Sequence, residues 1–282
     1  MFTSVGIGIG IGIGFLFGVI VGSFLNVVIL RTHTKRSLGG HSHCMSCGER
    51  LGVQDLIPLL SYVFLRGRCR QCGARISPRY FLVELTSGIL FACMFSLSLS
   101  PVALVLHVLF LALLLVIFVY DIEHLIIPDE YVVALIPLAL LLAVGRGEAV
   151  TFESSMALLL GGALSFAFLG GLWKVSGGRW IGLGDAKLSV PLAVAVGLSS
   201  TFSLIVFAFW IGAVVSVSLL CVAKLFVSGQ KHLLFSGVPL TMKAEVPFAP
   251  FLIGSFLVVY FAHADVFIIT NTFLSYLPPF SL

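Results

Sequence analysis

Polar residues are the exception along this chain, and their spacing divides it into long apolar runs. A helix needs roughly 20 apolar residues to cross a bilayer, and most of the runs approach that length. No sustained strand-like alternation appears, so a membrane β-barrel is not expected. The runs predict eight spans, at about 5–30, 80–97, 102–120, 131–144, 155–173, 186–198, 202–223 and 248–262. The fourth is short unless it begins near Leu125. The expected fold is therefore an all-α polytopic membrane protein. Residues 1–30 form the first transmembrane helix, 31–79 a loop domain, 80–264 the main membrane domain and 265–282 an apolar tail.

The first run carries Gly6, Gly10, Gly14, Gly18 and Gly22, one glycine every four residues, with Gly8 and Gly12 widening the stripe. A small residue at every fourth position lets a second helix approach closely. The run lacks a basic leading segment and continues too far for a removable signal peptide. It has no G-x-G-x-x-G register and no preceding strand, which excludes a nucleotide loop. Asn26 is polar within this apolar setting and is expected to hydrogen-bond to another helix.

Composition strengthens the membrane reading. The apolar fraction is 59%, mean hydropathy is +1.16 and only 10% of residues are charged, against about 25% in a soluble domain. The charge is also lopsided. Of 16 Lys and Arg, nine lie in 31–79, three in 174–187 and three in 224–247, while Arg146 alone falls in the opposite set of loops. Basic loops stay cytosolic, so 31–79, 121–130, 174–187 and 224–247 are expected on that side. The same bias accounts for the basic loop without nucleic acid, which is not expected as a partner.

Within the polar stretch lie Cys44-Met45-Ser46-Cys47 and Cys69-Arg70-Gln71-Cys72, each pair followed by a glycine, Gly48 and Gly73. Two C-x2-C motifs suit a closed tetrahedral zinc site. Disulfides are the alternative, and a cytosolic location disfavours them. Four thiolates leave no open position, so the zinc is structural, replacing the core that so short a loop cannot build. His41 and His43 are spare ligands that a complete tetrad does not need. Cys93 and Cys221, inside apolar runs, are expected to be buried small hydrophobes.

Only 12 residues are Asp or Glu, and ionisable groups at membrane spans point to function. Asp121 closes the third run, and Asp185 opens the sixth within Gly182-Leu183-Gly184-Asp185-Ala186-Lys187-Leu188. The charge bias places both on one face. Two carboxylates in a partly dry site share a proton, so that one serves as base and the other as acid towards water. The plainer alternative is that each caps a helix. Asp129 and Glu130 follow Pro128 and are expected to start the fourth span, where the helix dipole favours them. Glu123 and His124 are expected to face headgroups. Gly182 and Gly184 are expected to take positive φ and allow close backbone approach. Lys187 either stabilises charge or meets headgroups, and the latter is the simpler reading. Glu84 sits in an apolar setting near the start of the second span. It is expected to pair with a basic loop residue or to receive a substrate amine.

Together these stretches resemble the GxGD aspartic proteases of membranes and, more narrowly, the type IV prepilin peptidases. Gly22 to Ile29, the paired C-x2-C motifs, Ser77-Pro78-Arg79-Tyr80 and Val83-Glu84-Leu85 carry the likeness. So do Asp121 to Asp129, Gly182 to Leu188 and Pro247-Phe248-Ala249-Pro250-Phe251. Ala249 departs from the family's usual glycine. The resemblance implies Asp121 and Asp185 as the catalytic pair. It implies prepilins and type II secretion pseudopilins as substrates, cut after the glycine that ends a short basic leader. The expected location is the bacterial inner membrane, with the zinc loop and active site on the cytosolic side. It also implies methylation of the new N-terminal amine by S-adenosylmethionine. Two other readings remain at this point: an intramembrane protease of other substrates, and a transporter or scaffold with a zinc-ribbon docking domain.

Overall fold

The computed structural model describes residues 4–34, 37, 39–97, 99–146, 151–226 and 246–268. The regular structure among the described residues is helical, with only two isolated β-bridges, both in the cysteine loop. The helices are α1 (Ser4–Thr34), α2 (Leu60–Phe64), α3 (Pro78–Ser96), α4 (Pro101–His124) and α5 (Asp129–Gly145). They continue with α6 (Phe152–Ser176), α7 (Leu183–Val196), α8 (Leu198–Phe226) and α9 (Ala249–Phe261). Five of them, α1, α3, α4, α6 and α8, are long and apolar enough to cross a membrane. The chain is thus a multi-pass membrane protein. Helices α5, α7 and α9 occupy three further expected spans but have only 17, 14 and 13 residues. The basic loop expected at 224–247 and the tail at 265–282 fall largely outside the described residues.

The chain forms two compact units, Met1–Val119 and Tyr120–Leu282, with the division inside α4. In the first, α1 packs along α3, and the glycine stripe is the reason. A Cβ at Gly14 would meet the Phe95 side chain at 2.7 Å, one at Gly18 the Ser87 carbonyl oxygen at 2.5 Å, and one at Gly22 the Glu84 Cα at 2.8 Å. Gly88 of α3 returns the contact against Val19 and Phe15. Gly8 and Gly12 do not widen this face, because nothing lies within 4 Å of a Cβ at either. Asn26 is 3% exposed and donates through Nδ2 to the Tyr80 carbonyl at 3.0 Å, the interhelical bond expected of it.

In the second unit α7 is the hub, packed against α5, α6, α8 and α9. Ten of its 14 residues are buried, which suits a helix apolar on every side. Small residues bring its neighbours close. Gly162 of α6 faces Val190 and Val194, and Ser189 of α7 donates to Ser165 of α6 at 3.2 Å. Gly197, at φ +86°, turns the chain from α7 directly into α8. Ser255 of α9 donates to the Leu204 carbonyl of α8 at 2.9 Å.

Two expectations fail on exposure. Cys93 and Cys221 are exposed on helices α3 and α8, not buried. Lipid makes no demand for polarity, so an outward position suits a small apolar thiol as well as a core position does.

Candidate functional site

Helix α7 begins with Gly182 at its N-cap, and Asp185 is the third residue of its first turn. Asp185 Oδ2 accepts from the Gly182 N–H at 3.1 Å, closing the helix start. A negative charge here also complements the helix dipole. The capping role is therefore real, but it uses only one oxygen. The other, Oδ1, is buried and has no hydrogen-bond partner.

Asp121 mirrors this arrangement. It lies in the last turn of α4, which runs on to His124, so the helix ends four residues beyond the expected boundary at 120. One carboxylate oxygen accepts from the backbone N–H of Ala249, the first residue of α9. The other, Oδ2, is buried without a partner. Asp121 and Asp185 are 5% and 7% exposed and close enough for their charges to interact. Buried polar atoms are nearly always paired. These are two buried carboxylates whose charges interact, each fixed by one backbone N–H and each holding one unsatisfied oxygen, the oxygen that a shared proton or a bound water would need.

The glycines do not take the expected positive φ, but they do allow the expected close approach. Gly182 has φ −75°, and Gly184 is absent from the positive-φ residues. Their value lies in space. A Cβ at Gly184 would meet the Ile127 side chain at 3.1 Å, and one at Gly182 would sit 3.1 Å from Asp185 Oδ2. Ile127, buried in the α4–α5 link, thus sits against the start of α7. Leu169, Ile181 and Ala186, with Leu183 and Phe248 packed on them, make an apolar cluster around the same helix start.

Lys187 does not stand free at the headgroups. Its Nζ donates to both Asp129 oxygens, at 2.9 and 2.8 Å. The pair is largely exposed and joins the first residue of α5 to the second turn of α7. Asp129 and Glu130 occupy the first turn of α5 as expected, and Pro128 is its N-cap. Glu84 is 9% exposed and accepts from the Leu59 N–H at 2.8 Å. Leu59 has φ +59°, a strained conformation for a leucine. The carboxylate therefore anchors a tight loop turn to α3.

In the cysteine loop, the two C-x2-C motifs fold as twin knuckles 25 residues apart. In each, the N–H of the first cysteine donates to the carbonyl five residues on, Cys44 to Glu49 at 2.9 Å and Cys69 to Ala74 at 2.8 Å. The glycines take the turn, Gly48 at φ +72° and Gly73 at φ +70°. All four sulfurs lie within 4.8 Å of one another, with Cys44 and Cys72 at 3.9 Å. A tetrahedron with Zn–S bonds of about 2.3 Å requires sulfurs about 3.8 Å apart, so the group fits zinc. All four thiols are free. N–H groups of Cys47 and Ser46 pull the Cys44 thiol down, while the neighbouring Cys44 and Cys72 push the Cys47 thiol up, so without metal one thiolate forms ahead of the other. His41 and His43 stand outside the group. Beside the knuckles, Arg70 and Asp55 form an ion pair at 2.7 Å, and it holds the Asp55 carboxyl below its ordinary value.

The class is thus a multi-pass helical membrane protein with a four-cysteine loop able to hold a metal and a buried pair of carboxylates. Sequence comparison gives the family. The profile of the Bacterial Peptidase A24 N-terminal domain matches residues 16–97, and that of the Type IV leader peptidase family matches 108–217. The chain is 37% identical over 213 residues to the prepilin leader peptidase/N-methyltransferase of Myxococcus xanthus, covering 73% of this chain and 62% of that protein. It is 32% identical over 217 residues to the Bacillus subtilis protein of the same description, covering 75% and 84%. With that of Dichelobacter nodosus it shares 31% over 266 residues, covering 84% and 86%. The match spans less than two thirds of the Myxococcus protein and more than four fifths of the other two. No solved structure matches. The chain belongs to the type IV leader peptidase family.

Proposed function

We propose that this protein removes the short basic leader of type IV prepilins and type II secretion pseudopilins, cutting after its terminal glycine. It then N-methylates the new N-terminal residue. Family membership supports both activities, since the relatives are described as peptidase and N-methyltransferase together. For cleavage, the observation that carries the reading is the pair Asp121 and Asp185, each with one oxygen fixed and the other unsatisfied.

In this mechanism the ionised member takes a proton from water, and the water oxygen attacks the glycine carbonyl carbon. The protonated member donates to the leaving amine as the C–N bond breaks. Gly182 and Ala249 hold the two carboxylates through backbone N–H groups, so their geometry survives a change of charge. Cys44, Cys47, Cys69 and Cys72 would hold a structural zinc, which organises the loop and takes no part in the chemistry. The methyl donor in this reading is S-adenosylmethionine, which the family resemblance implies and the N-methyltransferase descriptions of the relatives fit.

On this reading α1 and α3 to α9 are eight spans, and the cysteine loop, Asp121 and Asp185 lie on the cytosolic face of the bacterial inner membrane. The bias of basic residues supports this orientation. Residues 31–79 then form the zinc-held loop domain and 80–264 the catalytic membrane domain. The test is coexpression with candidate prepilins, with the mature N-terminus mapped by mass spectrometry. Cleavage after the leader glycine with an added methyl mass is expected. Cleavage inside hydrophobic helices lacking that glycine would point instead to an intramembrane protease of other substrates.

A further inference from the structure

The second knuckle carries a feature that neither zinc binding nor peptide cleavage uses. Arg66, Arg68 and Arg75 line a concavity of about 570 Å³ with Tyr62, Ser77 and Pro78. Arg68 and Arg75 are directly opposed in an antiparallel bridge. Like charges facing each other across such a bridge destabilise it. Among the described residues none of the three arginines forms an ion pair, and no carboxylate lines the concavity. A site of this charge repels a basic leader peptide.

Its position narrows the ligand. Ser77 and Pro78 are the N-cap and first residue of α3, itself one of the five helices able to cross a membrane. The end of such a span lies at headgroup level, where phosphate is concentrated. The adjoining helix α2 presents Leu60, Val63 and Phe64 at 55%, 59% and 79% exposure. It is held to α3 by Tyr62 against Phe81, ring centroids 5.4 Å apart. An apolar patch beside a cationic pocket is the signature of a segment seated in a bilayer interface.

We infer that Arg66, Arg68 and Arg75 form a binding site for the phosphodiester headgroup of an anionic phospholipid, with Val63 and Phe64 entering the adjacent acyl region. The headgroup phosphate lies between the facing guanidiniums and removes their mutual repulsion. The site fastens the metal loop to the membrane surface at the start of α3.

The test uses the full-length, zinc-loaded protein in nanodiscs of phosphatidylcholine with a minor share of phosphatidylglycerol. After transfer to detergent, retained phosphatidylglycerol is counted by native mass spectrometry. Arg68→Gln should lower retention about fivefold, the contribution of one basic residue near an anionic surface. Arg50→Gln, an exposed charge in the first knuckle outside the pocket, should leave it unchanged. Zinc content shows that each variant keeps the loop folded, and Arg75→Gln repeats the test should Arg68→Gln lose zinc. Equal losses in the pocket and Arg50 variants, or no loss in any, would overturn the site. So would release of the lipid by inorganic phosphate or by S-adenosylmethionine, which would assign the pocket to a soluble ligand.

Discussion

Replacing Asp185 with Asn separates its two roles. The Asn side-chain oxygen can still accept from the Gly182 N–H, now 3.1 Å from Asp185 Oδ2, so the α7 cap persists. The loss is one negative charge in a helix first turn, about 0.3–1 kcal/mol. Removing its repulsion with Asp121 offsets part of that. Net stability should therefore change by less than about 1 kcal/mol. Activity should change far more. An amide neither takes nor gives the proton that hydrolysis requires, and general acid–base catalysis contributes roughly 10²–10⁴-fold. That is about 3–5 kcal/mol of barrier. The assay is prepilin processing by gel shift in membranes at matched expression, with zinc content measured alongside. Asp121→Asn should behave the same way. Asp129→Asn removes only an exposed ion pair with Lys187, worth at most about 1 kcal/mol, and should retain processing. The active wild-type enzyme should lose activity at both pH extremes, since one carboxylate must be charged and the other protonated. Full processing by Asp185→Asn would refute the mechanism. Loss confined to Asp129→Asn would show that a different carboxylate acts.

Further outcomes follow from the same structure. The protein should contain about one zinc per chain, as a single four-thiolate site requires, and Cys44→Ser should lower that content. Unchanged metal in the variant would disprove the tetrad. Gly18→Ala places a Cβ 2.5 Å from the Ser87 carbonyl oxygen and should destabilise the α1–α3 pair by about 1–3 kcal/mol in thermal melts. Gly12→Ala meets nothing within 4 Å and should be neutral or stabilising by up to about 1 kcal/mol. Asp55→Asn should loosen the loop by less than about 1 kcal/mol, because its Arg70 partner is half exposed. The Asp55 carboxyl sits below its ordinary value, so its contribution is complete above that value. It is lost as pH falls through the lowered one, measurable as the pH dependence of loop protection in hydrogen exchange.

Legible in the sequence alone were the positions of the apolar helices, the clustering of the four cysteines, the glycine stripe on α1 and the two carboxylates that end up buried. Each is local. A C-x2-C-Gly knuckle closes its own turn, and a glycine at every fourth residue marks one face whatever packs there. The faces of the other helices were not legible, because lipid is as apolar as a protein core and hydrophobicity cannot tell the two apart. Cys93 and Cys221 were misread for that reason. The tertiary structure alone decided that the short helix α7 is a buried hub. It brought the Ala249 N–H to Asp121 across 128 residues of chain, seated Ile127 against Gly184 and paired Lys187 with Asp129. It also set Arg68 opposite Arg75 at the start of a span, turning residues that read only as a cytosolic bias into a pocket. These contacts join segments far apart in sequence, and they depend on which surfaces fit together, a property of shape that periodicity and composition do not encode.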